Sequence, residues 1–453
     1  MRIVIIGDGK VGSTLSNQLQ RHGHNVTVVD NNKNALKNLI DTQDVLCVEG
    51  NGATYEVQLE AGVNESDVTI ACTSTDELNM IACMMAKKLG SKRTIARVRN
   101  PDYYKQIDFL KNEMGLNTII NPELAAANDI SRMLLFPTAT KVELFAKGRV
   151  ELIEFYVNAS SPLCNMKISD IYKNYNAKIL VCAVQRGDDV HIPSGDFIIN
   201  QGDKLNFTCS HIEAEKFLKA MGMDNNKVRS VILIGGGKIG YYLAELLNKL
   251  RIDVKIIEKD YNKCLELSEL LPKATIIHGD GTDSALLKTE GIESTDAIVA
   301  LTDYDEHNII AVLYSSSKGV KKVIAKINSS SYTHMANSLG ILSVVSPKYL
   351  AVEHIESYIR AMHNSENISE IETLYRLVDD KLEAIEFIVK KDAFFLNKPL
   401  KKLTIKKNYL LACIARERKI IIPNGETNIR LGDSVVLVTL SNDCNSLSDI
   451  FEE

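Results

Sequence analysis

Three glycines pose the first chemical question. Gly7-x-Gly9-x-x-Gly12 closes the apolar run IVII (3–6) and opens a segment of helical periodicity. Where a strand turns into a helix, the first glycine allows a tight turn. The second brings bare backbone up to a pyrophosphate, and the third lets helix and strand pack closely. Amides and dipole at the helix start then favour phosphate. The loop also contributes Asp8, Lys10 and Val11, and a second copy reads Gly235-x-Gly237-x-x-Gly240 with Lys238 and Ile239. Asp30 lies 23 residues beyond Gly7, and Glu258 lies 23 beyond Gly235. A carboxylate at that place accepts hydrogen bonds from ribose hydroxyls and repels a 2′-phosphate, which favours NAD(H) over its phosphorylated form. A solvated acid at a strand end is the plainer alternative. GDGKVGST lacks the Gly-Lys-Ser/Thr order of a triphosphate P-loop.

Further candidates recur in pairs. Asn51 in GNG and Asp280 in GDG follow the third strand of each copy, near the adenosine end or as members of ordinary glycine turns. Thr73 and Thr302 end the fourth strand, where they contact phosphate or ribose, or cap the helix that follows. Arg97 and Lys326 end the fifth, either neutralising phosphate or extending to solvent. Lys10 and Lys238 share that divided reading.

The elements that must position these residues are written twice. IVIIGDGKVG (3–12) returns as VILIGGGKIG (231–240), and ACTSTDELN (71–79) returns as ALTDYDEHN (300–308), at an offset of 228 or 229. IPSGDFIINQGD (192–203) returns as IPNGETNIRLGD (422–433). The order is A-B-A′-B′. Segment A carries six apolar strand runs separated by helix-length patterns, which predicts a doubly wound, Rossmann-like parallel α/β sheet. Segment B, with brief strands, turns and the helix HIEAEKFLKAM, predicts a small α+β subdomain. The expected limits are 1–136, 137–225, 226–362 and 363–453, at polar or Pro/Gly-containing connectors such as FPTATK (136–141), GMDNNKV (222–228) and HNSENISE (363–370).

Composition narrows the classes. The 453 residues carry 53 basic and 58 acidic side chains, which argues against a polycation and against nucleic acid as a partner. The nine cysteines show no Cys-x-x-Cys pair and no zinc spacing with histidine, which predicts reduced core thiols in a cytoplasmic protein and no metal site. The apolar stretch after Arg2 is too short for a signal peptide, and no run approaches the ~18 apolar residues of a membrane span.

Asp30 and Glu258, the GNG and GDG turns and the Thr-x-x-Asp-Glu-x-Asn stretches resemble those of RCK domains, also called KTN domains, which regulate potassium channels and transporters. The N-C-N-C order over the whole chain resembles their tandem form. The resemblance implies NAD(H), and ATP or ADP, bound at each lobe. It implies a homo-oligomer, a tetramer presenting eight lobes, docked at the inner face of the membrane on a TrkH-like potassium-translocating subunit and gating its flux. Glu123 in NPE becomes Lys348 in SPK; an acid at a helix start is one reading of Glu123, a cation site at a lobe interface another.

The competing class is an NAD-dependent oxidoreductase. It needs a proton-handling group against the nicotinamide. His22 and His24 fall in a helix-strand turn, and His191 and His211 of segment B have no matched histidine in B′. His278 and His307 of A′ align with Glu49 and Leu78 in A, so no acid/base constellation is kept in matched frame, and the sequence favours a non-enzyme.

Overall fold

The computed structural model describes residues 1–145, 150–222, 227–366, 371–377, 381–417, 419–440, 444 and 446–452. The first lobe is a parallel sheet of β1 (Arg2–Ile6), β2 (Asn25–Asp30), β3 (Leu46–Glu49), β4 (Val68–Ala71), β5 (Arg93–Arg97) and β6 (Thr118–Ile120), in the order β3-β2-β1-β4-β5-β6. Helices cover both faces, so the central strands need apolar side chains on both sides. Val68, Thr69, Ile70 and Ala71 are accordingly all buried.

A smaller antiparallel sheet follows, made of β7 (Ala139–Phe145), β8 (Val150–Tyr156), β9 (Leu180–Arg186), β10 (Asp189–His191) and β11 (Lys204–Cys209), in the order β10-β9-β11-β8-β7. The helix His211–Ala220 packs on it through Ala214 and Phe217. The second half repeats both plans. Strands β12 (Ser230–Ile234), β13 (Asp253–Glu258), β14 (Thr275–His278), β15 (Ala297–Ala300), β16 (Lys322–Lys326) and β17 (Val344–Val345) form the second lobe. Strands β18 (Ile371–Leu377), β19 (Leu382–Ile388), β20 (Tyr409–Arg416), β21 (Lys419–Ile421) and β22 (Ser434–Thr439) form the second small sheet. The fold is therefore two Rossmann-like doubly wound sheets, each followed by a small sheet domain.

The buried acids Asp203 and Asp433 show how closely the small sheets repeat. Each accepts a bidentate pair from an arginine, Arg186 and Arg416, with both bonds at 2.8 Å. The fork geometry matches carboxylate spacing and removes an otherwise uncompensated buried charge. The two small sheets face one another. Cys182 and Ala183 of β9 share a core with Ala384, Ala412, Cys413, Val436 and Val438, and the Thr208 hydroxyl donates to the Ala412 carbonyl at 3.0 Å.

The lobes also exchange a helix. Pro122–Leu135 begins with proline after the N-cap Asn121, whose side chain accepts from the Leu124 amide at 2.9 Å. Its Ala126, Ala127, Ile130, Met133 and Leu134 enter the core of the second lobe, beside Leu233, Leu243 and Leu247. The reciprocal helix, Pro347–Glu366, sends Ala351, Val352, Ile355 and Ile359 into the core of the first, beside Ile5 and Leu15. The repeat-based limit at residue 362 falls inside this helix. The stretch 363–370 has no proline or glycine to end it, and the helix runs on to Glu366. The limit at 225 lies outside the described residues.

Candidate functional site

In the first lobe a cleft of about 370 Å³ opens at the carboxyl end of the sheet. Gly7, Asp8, Gly9, Asp30, Asn51, Thr73 and Arg97 all line it. Gly7 takes φ +107°, and the Gly7 amide donates to the Val29 carbonyl at 2.8 Å, so the chain turns sharply out of β1. Gly12 has no room for a side chain: a Cβ there would lie 1.9 Å from the Gly7 carbonyl oxygen. Gly9, the N-cap of the helix Lys10–Arg21, meets nothing within 4 Å of an added Cβ. That open space, at the exposed amide end of a helix of 12 residues, fits a pyrophosphate. Val11 and Ile239 turn their side chains into the cores, leaving only their backbone to the loops.

Asp30 is oriented by backbone. Its two oxygens accept from the Asp8 amide at 2.6 Å and the Asn32 amide at 2.8 Å. Glu258 has the same two partners in the second lobe, the Gly236 amide at 2.8 Å and the Asp260 amide at 2.9 Å. Both carboxylates are thus held at a strand end in register with the glycine loop, in the position that fits a ribose diol. Lys263 adds a cation 3.8 Å from Glu258.

The loops after the third strands are pinned less symmetrically. Asn51 accepts from the Ala53 amide at 3.1 Å, and the buried Gln58 donates to the Gly52 carbonyl at 2.7 Å and to the Ala82 carbonyl at 2.9 Å. Asp280 accepts from Lys259 at 2.9 Å and from the Thr282 amide and hydroxyl. The lysine bond holds its carboxyl well below the usual range.

Thr73 and Thr302 do not cap the following helices. Their hydroxyls bond the Asn79 and Asn308 side chains at 2.7 and 2.8 Å, and the N-caps are Thr75 and Tyr304 without side-chain bonds. The reason lies two links on. Asn79 and Asn308, both fully buried, also donate to the Arg97 and Lys326 carbonyls at 2.9 and 2.8 Å, tying the ends of neighbouring strands together. Asp76 accepts from the Arg99 and Asn100 amides, and Asp305 from those of Asn328 and Ser329. The Thr-x-x-Asp-Glu-x-Asn stretch is therefore a buried clamp that shapes the rim of the cleft.

Arg97 reaches the cleft wall and donates to the Thr73 carbonyl at 2.5 Å; burial pulls its guanidinium down from the usual range. Lys326 is buried along its stem and ends 3.2 Å from Asp303. Lys10 and Lys238 are exposed at the helix starts. Glu123 sits in the first turn of its helix with one carboxyl oxygen buried and unpartnered, and burial raises its carboxyl. Among the described residues no group of three or more His, Cys, Asp or Glu side chains has metal-binding geometry.

The histidines lie elsewhere. His24 borders a wider cleft of about 840 Å³ at the opposite, amino end of β1 to β3, and His22 stands 3.4 Å from Glu356. His211 bonds Glu151 at 2.8 Å, His191 lies tilted against Phe197, His278 bonds the Lys259 carbonyl, and His307 lies beside Tyr304. All nine cysteines are free.

Gln58 and Tyr242 had no signal as site residues in the sequence, while Asn79 and Asn308 stood in the Thr-x-x-Asp-Glu-x-Asn stretches with no role of their own. Tyr242 lies on the second glycine-loop helix. Its hydroxyl donates to the Arg99 carbonyl at 3.0 Å and accepts from Asn121 at 3.0 Å. It joins the second lobe's glycine-loop helix to the rim of the first lobe's cleft.

Domain models match the chain in the same fourfold order. The TrkA-N domain matches residues 3–122 and 231–347, and the TrkA-C domain matches 152–222 and 384–452. The Trk system potassium uptake protein TrkA homolog 2 of Methanosarcina mazei is 34% identical over 460 residues, covering 100% of each chain. Among solved structures, the GsuK RCK domain superposes with a TM-score of 0.64 at 18% identity, over 96% of this chain and 92% of that one. The GsuK channel bound to NAD superposes with a TM-score of 0.64 at 17% identity, over 97% and 76%. Among the described residues no helix is long and apolar enough to cross a membrane.

Proposed function

The chain belongs to the TrkA family of Trk system potassium uptake proteins, and from that premise we propose that it is the nucleotide-responsive regulatory subunit of a potassium-uptake system. One observation carries the reading: two glycine loops, each with its strand-end carboxylate, sit on lobes locked together by exchanged helices. A switch needs two states with different ligand contacts. NAD(H) and ATP or ADP supply that difference, because only the dinucleotide carries a second ribose and nicotinamide. A nucleotide bound at Gly9 presses on the helix Lys10–Arg21, which packs against Ile355 of the other half. One bound at Gly237 presses on the helix that carries Tyr242.

The membrane subunit supplies the pore, and the chain works at its cytoplasmic face. The homotetramer fits the apolar side chains left exposed at matched places. Ile81 and Ile310 are 44% and 59% exposed on equivalent helices, and Phe109 and Met335, on later helices of each lobe, are 64% and 53% exposed. The family and the lack of a matched acid/base pair support regulation over catalysis.

The test is potassium flux through proteoliposomes holding the membrane subunit, with and without this chain. Flux that depends on the chain and changes between NADH, NAD, ATP and ADP is expected. Flux indifferent to the chain under every nucleotide contradicts the proposal, as does steady oxidation of NADH with an aldehyde or oxo acid.

A further inference from the structure

The two glycine loops differ at one chemical position. Between the first and second glycines stands Asp8 in the first lobe and Gly236 in the second. The difference is built into the fold. A Cβ at Gly236 would lie 2.4 Å from Leu267 Cδ1 and 3.2 Å from a Glu258 oxygen, so a side chain there would require Leu267 to move. In the first loop the carboxyl of Asp8 lines the phosphate end of the cleft, and its Oδ1 is covered and without a hydrogen-bond partner.

The groups around Asp8 do not neutralise it. Asp30 on β2 is a second acid, held to the Asp8 amide at 2.6 Å. Cys47 on β3 and Cys72 after β4 are thiols that burial keeps in the neutral form, with Asp8 reinforcing the effect. Arg97 on β5 is directed to the Thr73 carbonyl, and Lys10 on the loop helix is exposed. Among the described residues no cation pairs with Asp8. Burial, and then the charge of Asp30, lifts its carboxyl to about 6.

Resting on the nucleotide-site reading above, we propose that Asp8 limits the phosphate charge that the first-lobe site accepts, favouring the diester pyrophosphate of a dinucleotide over the terminal phosphates of ADP or ATP. Each phosphate of a pyrophosphate diester bears one charge. A terminal phosphate bears close to two at neutral pH, since its second proton leaves near pH 6. A fixed carboxylate in the cradle therefore repels ADP and ATP more than NADH. The second lobe, with Gly236 in that place and Lys263 close by, has no such filter.

The test uses the full chain with one site silenced at a time. Gly237→Asp leaves the first site to be read, and Gly9→Asp leaves the second; both glycines have extended backbone and open space, so the fold tolerates the change. Dissociation constants for NADH and ADP are measured with and without Asp8→Asn, an isosteric change. At pH 8 the ratio of the ADP constant to the NADH constant at the first site should fall about tenfold in Asp8→Asn, the scale of one like charge removed from a partly solvated site. At pH 5.5, where Asp8 is largely neutral, the variant and its parent should agree. The ratio at the second site should not respond. A first-site ratio unchanged at pH 8 overturns the proposal alone. Absence of nucleotide binding in both silenced backgrounds overturns it together with the reading it rests on.

Discussion

At the scale of single residues, glycine identity divides into two kinds of requirement. Gly12 is a packing residue, because its added Cβ would sit 1.9 Å from a carbonyl oxygen. Gly12→Ala should cost about 3 kcal/mol in urea denaturation, the upper range for overpacking a site that cannot yield. Gly9→Ala, in open space, should stay within about 1 kcal/mol. Equal costs would contradict the loop geometry. Lys322 shows a different constraint. It is 4% exposed, its ammonium donates to the Ala139 carbonyl at 2.6 Å and to Ser343 at 2.8 Å, and burial pulls it down to about 7 from 10.5. Between those values the unfolded chain holds a proton that the folded chain has lost, so stability rises with pH across the window. Lys322→Met should be more stable than the parent at pH 7, with the advantage shrinking by pH 10. An advantage that is the same at both pH values would show that the lysine stays charged in the fold.

At the scale of elements, the sequence displayed the strands and glycine loops plainly. Continuous apolar runs such as VTIA are buried on both faces, and the duplicated motif fixed where the loops fall. The helix exchange was not legible. The pattern Ala126, Ala127, Ile130, Met133, Leu134 describes an apolar stripe, and a stripe looks the same whether it lies on its own sheet or on a neighbour's. Hydrogen bonds that join distant residues, such as Tyr242 to Arg99, leave no local pattern. The threonine at the fourth strand's end was open between ligand contact and helix cap because its actual partner, Asn79, lies six residues away and acts inside the fold. The exchange makes a specific prediction. Ile130→Ala should destabilise the chain by about 2–5 kcal/mol. Amide hydrogen exchange should rise first in β12 of the second lobe, where Leu233 shares its core, and not in β1. Faster exchange confined to β1 would mean that the helix packs on its own lobe.

At the scale of the whole molecule, duplication, helix exchange and the facing small sheets make one interlocked body with two glycine loops. The internal repeats made the fourfold order readable from the sequence, while the coupling between halves depends on contacts such as the Thr208 hydroxyl on the Ala412 carbonyl. A regulator of this form should bind one nucleotide per lobe and release it unchanged. The most direct measurement is the stoichiometry of NADH binding to the full chain, to Gly9→Asp, to Gly237→Asp and to the double variant. The account predicts two sites per chain, one in each single variant and none in the double. Unaltered stoichiometry in the double variant would contradict it.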